Sequence, residues 1–193
     1  MPKFFSCSPT KSNSTTIEDS DSLLLRSNGN NINDKLSKQC IFCDVSKDKG
    51  FNVIYEDNRL IAFHDRTPRA DIHLLIIPRN HTVSSVEQLR KEHIPLIQSM
   101  RLLANDLIPT KPTTSPTTSS IPTKMGFHIP PFSSVPHLHL HVFSGKHTFI
   151  GKFKYPISTS TSKPGGKGTS WFVTVDQVEN ILQSGGTIGL GRA

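Results

Sequence analysis

Apolar residues along this chain are grouped in short strand-like runs, interrupted by one helical stretch and by long polar segments. Residues 1–38 are rich in Ser, Asn and Thr, and Leu23, Leu24 and Leu25 form their one apolar cluster. So little apolar surface does not offset the entropy of ordering, and a disordered tail is expected there. From Cys40 the texture changes. "FNVIYED" and "RLIAFHD" read as two strands joined at Asp57-Asn58, a hairpin signal, and "IHLLIIP" reads as a third strand stopped by Pro78. Ser84-Ser85-Val86-Glu87 has the form of a capping box that opens a helix. Pro95 is expected to break that helix, and a second segment follows in which Ile97, Met100, Leu103 and Leu107 keep helical spacing and pack on the sheet.

Residues 109–123, "PTKPTTSPTTSSIPT", form a low-complexity insert that fits neither helix nor sheet and reads as a flexible surface excursion. Strands resume at "MGFHI" and "HLHLHVF", a flexible basic linker is expected over 158–170, and residues 171–193 hold a strand, "WFVTV", and a short helix over Asp176 to Leu182. These elements predict one α+β domain over 39–157, with a mostly antiparallel sheet of about five strands and packed helices.

The stretch "PHLHLHVF" carries the most chemistry. In an extended strand, residues two apart share a face, so His137, His139 and His141 line one side, roughly 7 Å from one to the next, while Leu138, Leu140 and Val142 line the other. The apolar side anchors the strand, and the imidazole side has three readings. A solvent-facing polar edge would be served equally well by Ser and Thr. A metal held by all three histidines lacks a nearby Asp or Glu to support hydrolysis. Nucleophilic or acid-base work is favoured, because an imidazole with a pKa near 6.5 is substantially neutral at neutral pH and its nitrogen attacks phosphorus well.

Charge sharpens this picture. The net charge of +7 is not uniform: residues 1–38 hold five basic and four acidic side chains, residues 39–110 nine of each, and residues 111–193 eight basic and two acidic. Lys146, Lys152, Lys154, Lys163 and Lys167 lie between Ser144 and Ser170 with no acid among them. Such a segment either attracts phosphates of a nucleotide or nucleic acid, or is a solvated loop. Three cysteines make no disulfide framework, and the Cys40-Ile41-Phe42-Cys43 pair reads as redox or metal chemistry in a reducing compartment, the cytosol or nucleus. Met1 to Cys7 lacks a long apolar core, and no run approaches the ~20 apolar residues of a membrane span, so neither a targeting peptide nor a membrane partner is expected.

With those residues in view, "CIFC", "YEDNRLIAFHD", "HLLIIPRNH" and "SSVPHLHLHVF" occur in the order and spacing of the histidine triad (HIT) nucleotide hydrolases and transferases. The resemblance covers about Gln39 to Phe149. "GFHIPPFSSVPHLHLHVF" and the later "WFVTVDQVENIL" are most similar to the third branch of the histidine triad nucleotide-binding proteins, the adenosine 5'-monophosphoramidases, near the aprataxins. The resemblance implies a HIT-like fold and a hydrolase that cleaves purine nucleoside 5'-monophosphate conjugates from phosphoramidate, acyl or related leaving groups through a nucleotidyl-histidine. It makes His139 the nucleophile, sets His141 on the phosphate oxygens, and places Ser134 by the phosphate and leaving group. Asp65 would bind the ribose hydroxyls, with Ile41, Phe42, Phe63 and His64 at the base. In relatives that hold structural zinc, "CIFC" is completed by residues matching His81 and His137, so Cys40, Cys43, His81 and His137 are the implied Zn²⁺ ligands, with no organic cofactor. Members often form homodimers.

Two departures stand out: "HIPPFS" replaces the Asn-Glu-Gly stretch with which many small members hold phosphate, and Arg66 follows Asp65 where an apolar residue is common. Two rival readings remain. An aprataxin-like DNA deadenylase draws support from the C-terminal lysines but lacks a complete zinc finger after the triad. A non-catalytic nucleotide-binding adaptor is disfavoured by the intact triad.

Overall fold

The computed structural model describes residues 40–108, 123–159 and 166–191. The tail over 1–38, the insert over 109–123 apart from Thr123, and the middle of the 158–170 linker lie outside the described residues. Six strands form one sheet: β1 (Val53–Glu56), β2 (Leu60–His64), β3 (Ala70–Pro78), β4 (Thr123–His128), β5 (Leu140–His147) and β6 (Phe172–Thr174). Their order is β1-β2-β3-β5-β4-β6, and every neighbouring pair is antiparallel. The sheet has one strand more than the five expected, because the C-terminal strand pairs with the outer edge of β4 through Gly126 to Thr174 and His128 to Phe172.

Alternation decides which side chains reach which face. Leu60 and Ala62 of β2, Leu74 and Ile76 of β3, Phe127 of β4 and Leu140 and Val142 of β5 enter the main core. Their neighbours Ile61, Phe63, Leu75 and Ile77 enter a second apolar cluster with Phe42 and Val53. Each fully buried Leu, Ile, Val or Phe contributes about 1.5–3 kcal/mol relative to exposure, so a one-residue slip of β5 would exchange that stabilisation for buried imidazoles. Register is therefore strongly fixed at the strand that carries the histidines. The β1–β2 hairpin forms as expected, with Asp57 Oδ1 accepting from the backbone N–H of Arg59 at 2.7 Å and of Leu60 at 2.6 Å.

Among the described residues, three helices accompany the sheet: α1 (Ile94–Leu107), α2 (Phe149–Lys154) and α3 (Val175–Gln183). Of these, α1 buries Ile97, Met100, Leu103 and Ala104, and α3 buries Val178, Ile181 and Leu182, in the main core. The capping box expected at Ser84 does not open a helix. Only short 3₁₀ turns form over Val86–Gln88 and Lys91–His93, and the Ser84 N–H donates to Gln88 Oε1. Pro95, expected to break a helix, sits in the first turn of α1, where its missing N–H costs nothing. The helix α2 carries no apolar periodicity that forecasts it, since Phe149, Ile150 and Phe153 are all exposed; Thr148 caps it by accepting from Gly151 N at 3.0 Å. At the ends of the 158–170 stretch, Lys167 is fully buried and its Nζ donates to the carbonyls of Gly168 and Gly191, so this lysine is not part of a solvated basic surface. Among the described residues, no helix is long and apolar enough to cross a membrane.

Candidate active site

The histidine face begins just before β5. By register Ile76 pairs with Leu140, which brings Leu138 opposite Pro78, a residue with no N–H to give. The ladder ends there. The Leu138 N–H donates instead to Val83 O at 2.9 Å, and the Pro78 carbonyl accepts from His137 Nε2 at 2.8 Å. The expected alternation survives this change, with Leu138, Leu140 and Val142 in the main core. The three histidines nevertheless divide. His139 and His141 face each other with ring centroids 5.0 Å apart, while His137 turns to His81, 4.8 Å away, and to two cysteines.

Hydrogen bonds fix the protons on His139 and His141. His139 Nδ1 lies 2.6 Å from the His137 carbonyl, so Nδ1 carries the hydrogen and Nε2 carries the lone pair. The backbone N–H of Arg69 donates to His73 Nδ1 at 3.3 Å, so the hydrogen of His73 is on Nε2. That Nε2–H donates to His141 Nδ1 at 2.9 Å, which leaves the hydrogen of His141 on Nε2. His141 Nε2 is buried and has no partner among the described residues. An unpaired buried donor costs free energy unless something accepts from it, and an anionic oxygen beside His139 would do so. Burial holds the pKa of His139 below its usual value and that of His141 well below, so both rings are neutral. Burial likewise lowers His73 and His128 to about 4.

His73 was not singled out from the sequence. Its position in β3, two before Leu75, puts it on the histidine face, and only the pairing of β3 with β5 shows that it meets His141. His128, noted only as a departure, stands 4.9 Å from His141 between ring centroids and donates from Nε2 to the Lys154 carbonyl at 3.1 Å.

The implied base and ribose residues lie on the β1–β2 side of the triad. Phe42 and Phe63 are buried and meet edge to face at 5.4 Å, and Phe42 meets His139 at the same distance. Ile41 is 59% exposed, and His64, which follows Phe63 in β2 and so starts from the other face of the strand, is exposed as well. Asp65 closes a turn: its Oδ1 accepts from Thr67 N at 2.7 Å, and its Oδ2 stands 3.6 Å from His73 Nε2. Ser134 is exposed and hydrogen-bonds to no described residue. The hydroxyl that bonds in that turn is Ser133, to Val135 O at 3.3 Å.

Cys40, Cys43, His81 and His137 bring one ligand atom each within 4.8 Å of one another. His137 Nδ1 is 3.5 Å from Cys40 Sγ and 3.6 Å from Cys43 Sγ, and His81 Nδ1 is 3.1 Å from Cys43 Sγ. The outer nitrogens are held by Pro78 O and, at 3.0 Å, by Ser84 Oγ, which aims both inner nitrogens at the sulfurs. Burial and the adjacent Cys40 push the Cys43 thiol up to about 11, a cost that a divalent cation reverses by binding the thiolate. Two thiols and two oriented imidazoles are a fitting donor set for a tetrahedral metal. The cluster ties the N-terminal loop to the segment that presents His139.

Fold and site together define an α+β domain that sets a neutral imidazole with a free ring nitrogen beside an oriented N–H donor. Residues 39–154 match the family described as "Scavenger mRNA decapping enzyme C-term binding", and the chain belongs to this family, the histidine triad proteins. It is 30% identical over 158 residues to adenosine 5'-monophosphoramidase HINT3 of Danio rerio, covering 81% of this chain and 89% of that protein. Against adenosine 5'-monophosphoramidase HINT3 of Mus musculus it is 33% identical over 151 residues, 75% of this chain and 81% of the relative. Aprataxin of Danio rerio matches at 27% over 135 residues, 70% of this chain but 38% of that protein.

Proposed function

We propose that the protein is a nucleotide hydrolase that cleaves a purine nucleoside 5'-monophosphate from a phosphoramidate, acyl or related leaving group through a nucleotidyl-histidine intermediate. The observation that carries this reading is the opposite polarity of two adjacent imidazoles: a lone pair on His139 Nε2 and an unpartnered N–H on His141 Nε2. His139 Nε2 attacks the α-phosphorus. The N–P bond forms as the bond to the leaving amine breaks, and the amine departs with a proton from water. His141 Nε2–H donates to a phosphoryl oxygen as its charge grows. A water molecule then attacks phosphorus, gives its proton to solvent and displaces His139, releasing the nucleoside monophosphate.

In this reading the base lies over Phe42 and Phe63 beside Ile41 and His64, the ribose hydroxyls donate to Asp65, and Ser134 reaches the leaving group. Zn²⁺ is the metal for Cys40, Cys43, His81 and His137, and its part is structural: it holds the backbone of His137, whose carbonyl orients His139. The likeness to relatives named adenosine 5'-monophosphoramidase supports adenosine and a nitrogen leaving group. The test is turnover of adenosine 5'-phosphoramidate by wild-type protein and by His139→Ala, with acid-quenched wild-type protein mapped by mass spectrometry. Loss of turnover in the variant and an adenylate on His139 are expected; near wild-type turnover without His139 overturns the mechanism.

A further inference from the structure

Helix α2 faces outward with its apolar side, the reverse of α1 and α3. Gly151 is what seats it: this residue is buried, and a Cβ there would run into the Arg69 carbonyl, so the helix lies against the turn before β3 by its glycine side. At about 100° per residue, Phe149, Ile150 and Phe153 then share the face turned away from Gly151. They are 89%, 54% and 73% exposed. Lys152 and Lys154 fall on either flank of that face, and Lys146 precedes the helix. All three lysines are exposed, and among the described residues none of them makes an ion pair. The sequence from Ser144 to Ser170 holds no acid, and the Asp71 carboxylate that meets this segment accepts from the Lys146 backbone N–H at 2.7 Å.

The size and charge of this face decide what fits on it. At roughly 200 Å² for a whole aromatic side chain, the exposed parts of Phe149, Phe153 and Ile150 amount to about 400 Å². That is more than a single exposed residue needs explaining, yet about half of the ~800 Å² per partner that a stable dimer buries. A second copy docked face to face would also set these lysines against their own counterparts. Nucleic acid would satisfy the lysines and leave Ile150, which has no ring to stack on a base, in water. A bilayer surface with anionic headgroups answers both halves. Apolar side chains enter the acyl boundary, while flanking lysines bury their stems and keep their ammonium groups at the phosphates. Lying in the interface requires no helix long enough to span a membrane.

We propose that α2 docks this protein on the surface of an anionic phospholipid membrane, with Phe149, Ile150 and Phe153 inserted and Lys146, Lys152 and Lys154 on the headgroups. The docking face is separate from the histidine face and does not rest on the hydrolase reading.

The test mixes the full chain with vesicles of phosphatidylcholine, with and without phosphatidylserine. Binding is read by flotation and by the emission of Trp171, the chain's single tryptophan, whose ring lies 5.9 Å from that of Phe153. Flotation with the phosphatidylserine vesicles and a blue shift of Trp171 are expected, both weakened about tenfold or more at about 1 M salt, where the screening length falls to about 3 Å. Phe149→Ser combined with Ile150→Ser should weaken binding about tenfold or more. Lys152→Gln should weaken it about fivefold, the value of one lysine at such a surface. The substituted side chains are exposed, so Tm should stay near wild type; if the double variant does not fold, Lys152→Gln decides alone. No flotation, equal flotation with pure phosphatidylcholine, or binding undiminished in either folded variant overturns the proposal. A dimer split by the Phe149 and Ile150 substitutions, with no vesicle binding, assigns the face to a second copy. Oligonucleotide binding lost in Lys152→Gln, again with no vesicle binding, assigns it to nucleic acid; both overturn the membrane docking.

Discussion

Replacing His73 with Phe tests the proton arrangement on which the proposed mechanism depends. Phe fills a similar volume and keeps the stacking on Phe143, whose ring lies 4.3 Å from that of His73. It deletes the donor that holds the hydrogen of His141 on Nε2. Two groups then lose a partner, His141 Nδ1 and the Arg69 N–H, and each unsatisfied buried group costs about 1–3 kcal/mol. Folding should survive with a lower Tm. The catalytic loss is larger in relative terms. His141 no longer has a neighbour that enforces its tautomer, and losing one oriented donor to a charged transition state costs about 10²–10³ in kcat, or about 3–4 kcal/mol. The base and ribose residues are untouched, so KM should stay near wild type. His73→Gln, whose amide can donate to His141 Nδ1, should recover about tenfold of the loss, the value of about one hydrogen bond. The assay is steady-state hydrolysis of adenosine 5'-phosphoramidate, joined to ¹⁵N chemical shifts of His141, which separate the two tautomers. A folded His73→Phe protein with unchanged kcat, or with His141 still protonated on Nε2, refutes the relay.

The acid response follows from the buried histidines. His73 and His128 titrate near 4 when folded and near 6.5 when unfolded, so below about pH 6.5 the unfolded chain binds protons that the folded chain refuses. Stability should be flat above pH 7 and fall by about 2 kcal/mol per histidine at pH 5, levelling below pH 4; a Tm that does not move between pH 7 and pH 5 contradicts this. For the Cys/His cluster, elemental analysis of protein purified without a metal-affinity tag should find about one zinc per chain, lost in Cys40→Ser/Cys43→Ser together with a lower Tm. Full stability without metal removes zinc from the account. Gly126→Ala should destabilise by about 1–3 kcal/mol through overpacking, because the new Cβ would sit 2.3 Å from Val173 O and 2.6 Å from the Phe172 ring; unchanged melting would show that β6 is loosely held.

The strands β2 and β3 were legible as short apolar runs bounded by turn signals, and β5 as a period-two alternation, because neighbours in a strand go to opposite sides wherever the strands finally pair. So was the spacing that sets Leu138, Leu140 and Val142 into the core and leaves the imidazoles opposite. The capping box at Ser84 misled, since Gln88 satisfied the Ser84 N–H from a 3₁₀ turn and Pro95 could start a helix as well as stop one. What no local pattern contained was long-range pairing. His73 reaches His141 only because β3 lies beside β5, His128 because β4 lies on its other side, and β6 joins because it closes on β4. The division of the triad was equally tertiary. Pro78 ends the ladder and takes a hydrogen bond from His137, turning that ring to the cysteines while His139 keeps its lone pair for chemistry. Sequence by itself determined which face of the histidine strand was apolar and which carried imidazole nitrogen. The tertiary structure decided which nitrogen keeps its proton, because a tautomer is set by hydrogen-bond partners that come from distant strands and from backbone carbonyls.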